Sequence, residues 1–395
     1  MIYIGILIGS VFLLTAFAVE RIDRRSGVPS VIVMIVLGLL AEPLLRPMGV
    51  VAGELKSMVP VAGTIGLVLI VLEGALDLEL RRERLGLAAT AFGVAVAGFA
   101  LCTGAFAVLA VQLLHISDYR ALVLAIPFAV ISSAIAIPGS HFLEQRAREF
   151  VIYESSVSDI VGVLVFFALV HSDATPRGFL TDLAGGGLLS LLLAIACSVM
   201  LVLVTTRAAA HVRHIPLLAG LFALYAGGEL LHLSPLLMVL LFGLLLNNRS
   251  VLDRVAGLRH VSEQISAATV GEFRVLVQEL TFAVRGFFFF LLGYSTDLHD
   301  FAVAPSWIAA AAILLVVYAA RNVLLRLTDR RLAAALTWIA PRGLVTVLLY
   351  LEAAQRIALP VYLDGTVRLV VILSATFLAL ARRAGATRLA HEPAG

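Results

Sequence analysis

Apolar residues in this chain come in long runs with no polar period, and the charged residues fall in short clusters between them. A helix that is apolar all round is buried or lies in lipid, and a membrane-spanning helix needs about 20 mostly apolar residues. Runs bounded by charge or by Gly/Pro clusters predict thirteen spans. They lie at 3 to 19, 28 to 45, 58 to 76, 86 to 113, 119 to 138, 149 to 170, 185 to 206, 215 to 231, 234 to 247, 275 to 295, 304 to 325, 333 to 352 and 364 to 381. The fold class expected is an all-α polytopic membrane protein.

Composition agrees with the pattern. Of 395 residues 61% are hydrophobic and only 14% charged, with mean hydropathy +1.04, values that exclude a water-soluble domain of this size. The net charge of +3 comes without any run of more than three basic residues, so nucleic acid is not an expected partner. The arginines mark topology instead. They concentrate in alternate loops, as at Arg21, Arg24 and Arg25, at Arg81, Arg82 and Arg84, at Arg249, Arg254 and Arg259, and at Arg382 and Arg383. Basic loops face the cytoplasm, which puts the amino terminus outside and the carboxyl terminus in the cytoplasm of a cell (inner) membrane protein.

Numbering the spans exposes a repeat. Gly38-Leu39-Leu40 closes the second span and Gly243-Leu244-Leu245 the ninth. Gly74-Ala75-Leu76-Asp77-Leu78 closes the third and Gly293-Tyr294-Ser295-Thr296-Asp297-Leu298 the tenth. A shift of seven spans is odd, so the halves point in opposite directions, as in inverted-repeat carriers. The expected organisation is a single transmembrane domain, 1 to 395. It has repeats at about 1 to 170 and 215 to 382, a linking helix at 185 to 206 and a short tail at 383 to 395.

The same shift pairs the fifth span with the twelfth, and both carry helix-breaking chemistry: Ser132-Ser133 through Ile137-Pro138-Gly139-Ser140, and Ala340-Pro341-Arg342-Gly343. Proline removes a backbone donor and glycine loosens the helix. Free backbone groups at membrane depth are tolerated only against protein or a water-filled cavity. Two discontinuous helices therefore mark a candidate transport site.

The sixth span holds Tyr153-Glu154-Ser155-Ser156-Val157-Ser158-Asp159. Asp159 lies about midway along it, where an ionised carboxylate is costly unless a cation or a partner compensates it. A group that holds either a proton or a metal ion is what a proton-coupled carrier needs. Ser155, one turn earlier on the same face, and the adjacent Ser158 would add hard oxygen ligands suited to Na⁺, K⁺ or Li⁺. Glu154 points to another face and reads as half of a structural ion pair, with Arg285, Arg321 and Arg342 all deep enough to serve. The histidines lack metal-ligand spacing, and His141, His211 and His214 read as surface residues. Cys102 and Cys197 lie within apolar runs. No nucleophile elbow or phosphate-binding glycine loop occurs, so the expectation is a secondary transporter without cofactor, not an enzyme.

The chain resembles the monovalent cation:proton antiporter superfamily, which includes sodium/proton exchangers and potassium-efflux antiporters. The resemblance runs through Val28-Pro29-Ser30 to Gly38, Leu72-Glu73-Gly74-Ala75-Leu76, Glu154 to Asp159, Leu233-Ser234-Pro235 to Gly243, the Phe-rich stretch to Gly293, and Pro341-Arg342-Gly343. It implies crossed discontinuous helices, a homodimer in the lipid bilayer, and alternating access by a mobile transport domain. Asp159 matches the ion-binding aspartate, and Ser158 stands where exchangers carry Asn or Asp. A single carboxylate there favours electroneutral exchange. The resemblance also places Arg321 opposite Glu154, with Arg285 as the alternative. Where exchangers carry Thr-Asp-Pro in the crossing helix this chain has Ser133-Ala134-Ile135; Ser132-Ser133 with Ala134-Ile135-Ala136 looks more like the potassium-efflux branch, while Pro341-Arg342-Gly343 looks like the exchanger branch. Asp159, Ser155, Ser158 and oxygens around Ser133 are then expected to bind the cation in competition with H⁺, while Arg342 balances the ends of the broken helices. Two other readings stay open: a Na⁺-coupled organic-anion carrier of related inverted-repeat fold, and a non-transporting membrane sensor.

Overall fold

The computed structural model describes residues 2–26, 29–45, 52–77, 85–171, 192–193, 195–196, 200, 214–231, 235–248, 267–296 and 301–391. Among these the regular structure is helical: α1 (Ile2–Ser26), α2 (Ser30–Leu45), α3 (Ala52–Asp77), α4 (Leu85–Leu114), α5 (Asp118–Ala129), α6 (Ser133–Gly139), α7 (Gln145–His171), α8 (His214–Leu230), α9 (Pro235–Asn247), α10 (Ala267–Tyr294), α11 (Ala304–Thr328), α12 (Arg330–Leu336), α13 (Leu344–Arg356) and α14 (Tyr362–His391). Among the described residues six stretches are long and apolar enough to cross a membrane, with α5 and α6 counting together as one, and shorter apolar helices lie at Ser30–Ala41, His214–Leu230 and Pro235–Asn247. The chain is an all-helical, multi-pass membrane protein. Most of the linking span at 185 to 206 lies outside the described residues, as do Cys197 and His211.

Packing divides the helices into two groups. In the first, α10 lies along α2 and α3, α9 along α3, α8 along α9, and α1 along α2. In the second, α4 lies along α5, α7 and α11, α14 along α11, α6 along α7, and α13 along α5. Contacts between the groups are sparser and run mainly through α3 and α9 against α7, α3 and α10 against α13, and α2 against α14.

The first group is drawn together by small residues. A Cβ on Gly38 of α2 would overlap the Phe290 carbonyl oxygen of α10, and a Cβ on Gly293 of α10 would overlap the Ile35 carbonyl oxygen of α2. Two backbones that meet this closely bury continuous apolar surface without lipid between them, the role small residues play at helix interfaces in membranes. The helix α10 starts at Ala267, ahead of its apolar run. Its Arg274 there donates to Asn247 Oδ1 at 2.6 Å and to the Leu76 carbonyl.

Both expected helix breaks occur. The twelfth span is interrupted between Leu336 and Leu344, at Ala340 to Gly343 as expected. The fifth is interrupted at Val130 to Ser132, at the Ser132-Ser133 end of the expected stretch, and Pro138 and Gly139 are the last two residues of α6. Pro138 deprives only the Ala134 carbonyl of its helical donor. That carbonyl accepts from Arg285 Nη1 at 3.0 Å instead, and α6 ends one residue after the proline, at Gly139.

Gly38→Ala is expected to destabilise the protein by about 1–3 kcal/mol through overpacking. Gly104→Ala, where an added Cβ meets nothing within 4 Å, is expected to be neutral or stabilising. Thermal melting of both variants in detergent checks the contrast.

Candidate cation site

The two interrupted helices meet at their breaks. The Ser132 amide in the first break donates to the Pro341 carbonyl in the second at 2.9 Å, joining the unwound segments directly. Four helix ends therefore converge inside the protein: the carboxyl ends of α5 and α12 and the amino ends of α6 and α13. Carboxyl ends carry partial negative charge and amino ends partial positive charge.

Each carboxyl end receives a guanidinium. Arg342, 1% exposed, donates from Nε to the Phe128 carbonyl at 2.8 Å and from Nη2 to the Ala129 carbonyl at 3.4 Å, the last two residues of α5. Its Nη1 reaches the Ala340 carbonyl at 3.1 Å. Arg321 donates from Nε to the Leu336 carbonyl at the end of α12 at 2.8 Å. Its other two nitrogens grip Glu154 as a fork, Nη2 to Oε2 at 2.8 Å and Nη1 to Oε1. Arg321, not the alternative Arg285, thus lies against Glu154. Paired and hydrogen-bonded on both sides, the two buried charges meet the condition under which an ion pair is tolerated away from water.

The amino end of α6 receives Asp159. This residue lies near the middle of α7, about 20 Å from either end at roughly 1.5 Å per residue. Its Oδ2 accepts from the Ser133 amide at 2.9 Å, and the Ser133 hydroxyl faces the same carboxylate. Next to it Ser158 Oγ accepts from the Ile131 amide at 2.9 Å. One turn of α7 thereby holds two of the amides that the first break releases. Ser155 Oγ donates to the Val151 carbonyl at 2.7 Å, which leaves the lone pairs of its oxygen for a ligand.

Asp159 is 3% exposed, so it faces protein and not lipid. Its second oxygen, Oδ1, is buried with no hydrogen-bond partner among the described residues, and so are Ser132 Oγ and Thr346 Oγ1. Ser132 lies beside the Asp159–Ser133 contact, and a Cβ on Gly343 would overlap its hydroxyl. Buried polar atoms of this kind call for a proton, water or ion, and the donor set here consists of hard oxygens suited to an alkali cation. Glu154, Ser158, Arg321 and Arg342 also border a cavity of about 20 Å³ between α4, α7 and α11, room for one water. Asp159 does not line it.

Sequence reasoning named Ser132 only as part of the break and missed Thr346 and Ser374, which accepts from the Arg342 amide at 2.9 Å. Single hydroxyls within apolar runs carry no signal of their own. His141 is exposed, and His214 makes a 3.3 Å contact with Glu272.

A family model described as "Sodium/hydrogen exchanger, transmembrane" matches residues 8–381. The chain belongs to the sodium/hydrogen exchanger family. Solved structures agree on the fold. The sodium proton antiporter MjNhaP1 from Methanocaldococcus jannaschii at pH 8 superimposes with TM-score 0.75 at 19% identity, over 99% of this chain and 100% of that one. An electron-microscopy structure of MjNhaP1 gives TM-score 0.69 at 18% identity, over 100% of this chain and 99% of that one. No curated protein matches the chain. Within this exchanger fold, Asp159 and Arg342 sit on opposite-sign ends of the same interrupted helix pair.

Glu154→Gln leaves Arg321 as an uncompensated buried charge and is expected to cost about 3–5 kcal/mol. The double variant E154Q/R321M should lose less than the sum of the single changes. Thermal unfolding in detergent measures both.

Proposed function

We propose that this exchanger moves a monovalent cation against a proton by letting the two compete for Asp159. Family membership makes the chain an antiporter, with sodium and protons as the general substrates. The observation that carries the finer reading is the split environment of one carboxylate. Oδ2 is tied to the crossing helix through the Ser133 amide, while buried Oδ1 has no partner among the described residues. A proton or a cation on Oδ1 removes most of the cost of carrying that charge across the membrane. The bare carboxylate bears that cost in full, so the loaded forms cross and the empty form does not. Such a site obliges each half-cycle to carry one positive charge or the other.

Ser155, Ser158 and the oxygens around Ser133 complete the cation shell in this reading, and Arg342 holds the α5 end in place without entering the shell. Ser158 stands beside Asp159 and Ala134 follows Ser133, so one carboxylate serves the site and the exchange is electroneutral. The set of hydroxyl and carbonyl oxygens accommodates Na⁺, Li⁺ or K⁺.

Alternating access follows if the group containing α4–α7 and α11–α14 moves against the group containing α1–α3 and α8–α10. Support for an inverted repeat comes from matched packing: α2 lies on α10 as α9 lies on α3, and α4 lies on α7 as α11 lies on α14. In the cell (inner) membrane, with the amino terminus outside, the basic loops face the cytoplasm. A homodimer joined through the first group would leave the second free to move.

Asp159→Asn is expected to abolish cation-driven proton movement in proteoliposomes while leaving the protein folded. Undiminished exchange in that variant would reject the assignment. With the wild-type protein, an imposed membrane potential should leave the exchange rate unchanged, because no net charge crosses.

A further inference from the structure

Arg285 is a cation within the apolar length of α10 that the site just described does not use. It is half-buried, and its Nη1 donates to the Ala134 carbonyl of α6 at 3.0 Å. That bond joins the two helical groups, since α10 packs along α2 and α3 whereas α6 packs on α7. Its acceptor is also unusual. The carbonyl of Ala134 is the one that Pro138 leaves without a helical donor, so α6 offers a free acceptor one residue beyond the Ser133 amide that holds Asp159.

A guanidinium at this depth needs charge balance, and the first group supplies it. Glu73 on α3 lies within electrostatic reach of Arg285 and beside Thr281, one turn earlier on α10. Glu73 and Arg285 therefore travel together on helices that are packed along their length. Their mutual compensation survives any movement of the second group, but the bond from Arg285 to Ala134 does not.

We propose that Arg285 is a latch that holds the crossing helix α6 against α10 in the closed arrangement seen here, and that it must release before the second group can move. The arrangement is closed at this place. Pro29 and Ser30 of the first group face Ala134, Ile135, Pro138 and Ala379 of the second across a cavity of only about 20 Å³. Release of α6 widens that crevice. Arg285 is a positioning residue, acting on the cation site through the segment that carries Ser133. The latch does not depend on which cation is carried, and its test does not require transport.

The test measures access to the crevice in the full-length, detergent-purified protein. Cys102 and Cys197 are replaced by Ala and a reporter cysteine is placed by Ala379→Cys. Loss of one hydrogen bond from a charged donor should raise its N-ethylmaleimide labelling rate about tenfold in R285M. A control cysteine placed by Arg330→Cys, at an exposed position, should label at an unchanged rate. E73Q/R285M carries no unpaired charge and keeps the test in hand if the single variant does not fold. It too should label about tenfold faster. A rate equal to or below that of the Arg285 parent in R285M would overturn the latch. So would return to the parent rate in E73Q/R285M, because Arg285 would then serve only as the counter-charge of Glu73.

Discussion

Backbone amides and carbonyls released inside a bilayer have no water to turn to, and unsatisfied groups there cost several kcal/mol each. The interrupted helices of this exchanger release such groups at four helix ends, and the rest of the structure is arranged to receive them. Arg342 and Arg321 take the carbonyls at the ends of α5 and α12. Ser158 and Asp159 take the amides of Ile131 and Ser133, and the two breaks take one another through Ser132 and Pro341. Asp159 is therefore a structural cap and the proposed ion ligand at once. Its cap uses one oxygen and leaves the other for chemistry.

This economy explains why the deep arginines differ in role. Arg321 has a carboxylate partner in Glu154 and so contributes no net charge near the site. Arg342 spends its donors on carbonyl dipoles and leaves a positive field behind the crossing. Arg285 belongs to the opposite group of helices and reaches the crossing helix by one bond. The contacts across the boundary between the groups are few beside those within each group, so a single bond there weighs more in the balance between arrangements than the same bond inside either group.

Much of this was legible in the residues. Uninterrupted apolar runs mark the spans because lipid permits no polar face, and the Pro341-Gly343 break was visible because both residues oppose helix in the same place. Asp159 stood out because a carboxylate is costly at that depth. The other break was visible only as the stretch from Ser132 to Ser140, and its bounds have a physical reason. Pro138 strands the carbonyl four residues earlier, and Arg285, 151 positions away along the chain, supplies the missing donor. Where α5 stops depends on tertiary partners, namely Ser158 and Pro341, which local propensity does not register. Likewise Thr346 and Ser374 resemble any other hydroxyl in an apolar run until the breaks are brought together. Depth alone did not separate Arg321 from Arg285 as the partner of Glu154; the resemblance favoured Arg321, and Arg321 lies against Glu154.

The central claim is that one carboxylate oxygen holds either a proton or a cation and never both. Proton release on cation binding tests it most directly, measured with a pH indicator in weakly buffered, detergent-purified protein at a pH where Asp159 is protonated before the cation is added. The account predicts that saturating Na⁺ expels about one proton per protomer and that the signal vanishes in Asp159→Asn. Cation binding without proton release, or release that persists in the variant, would contradict it.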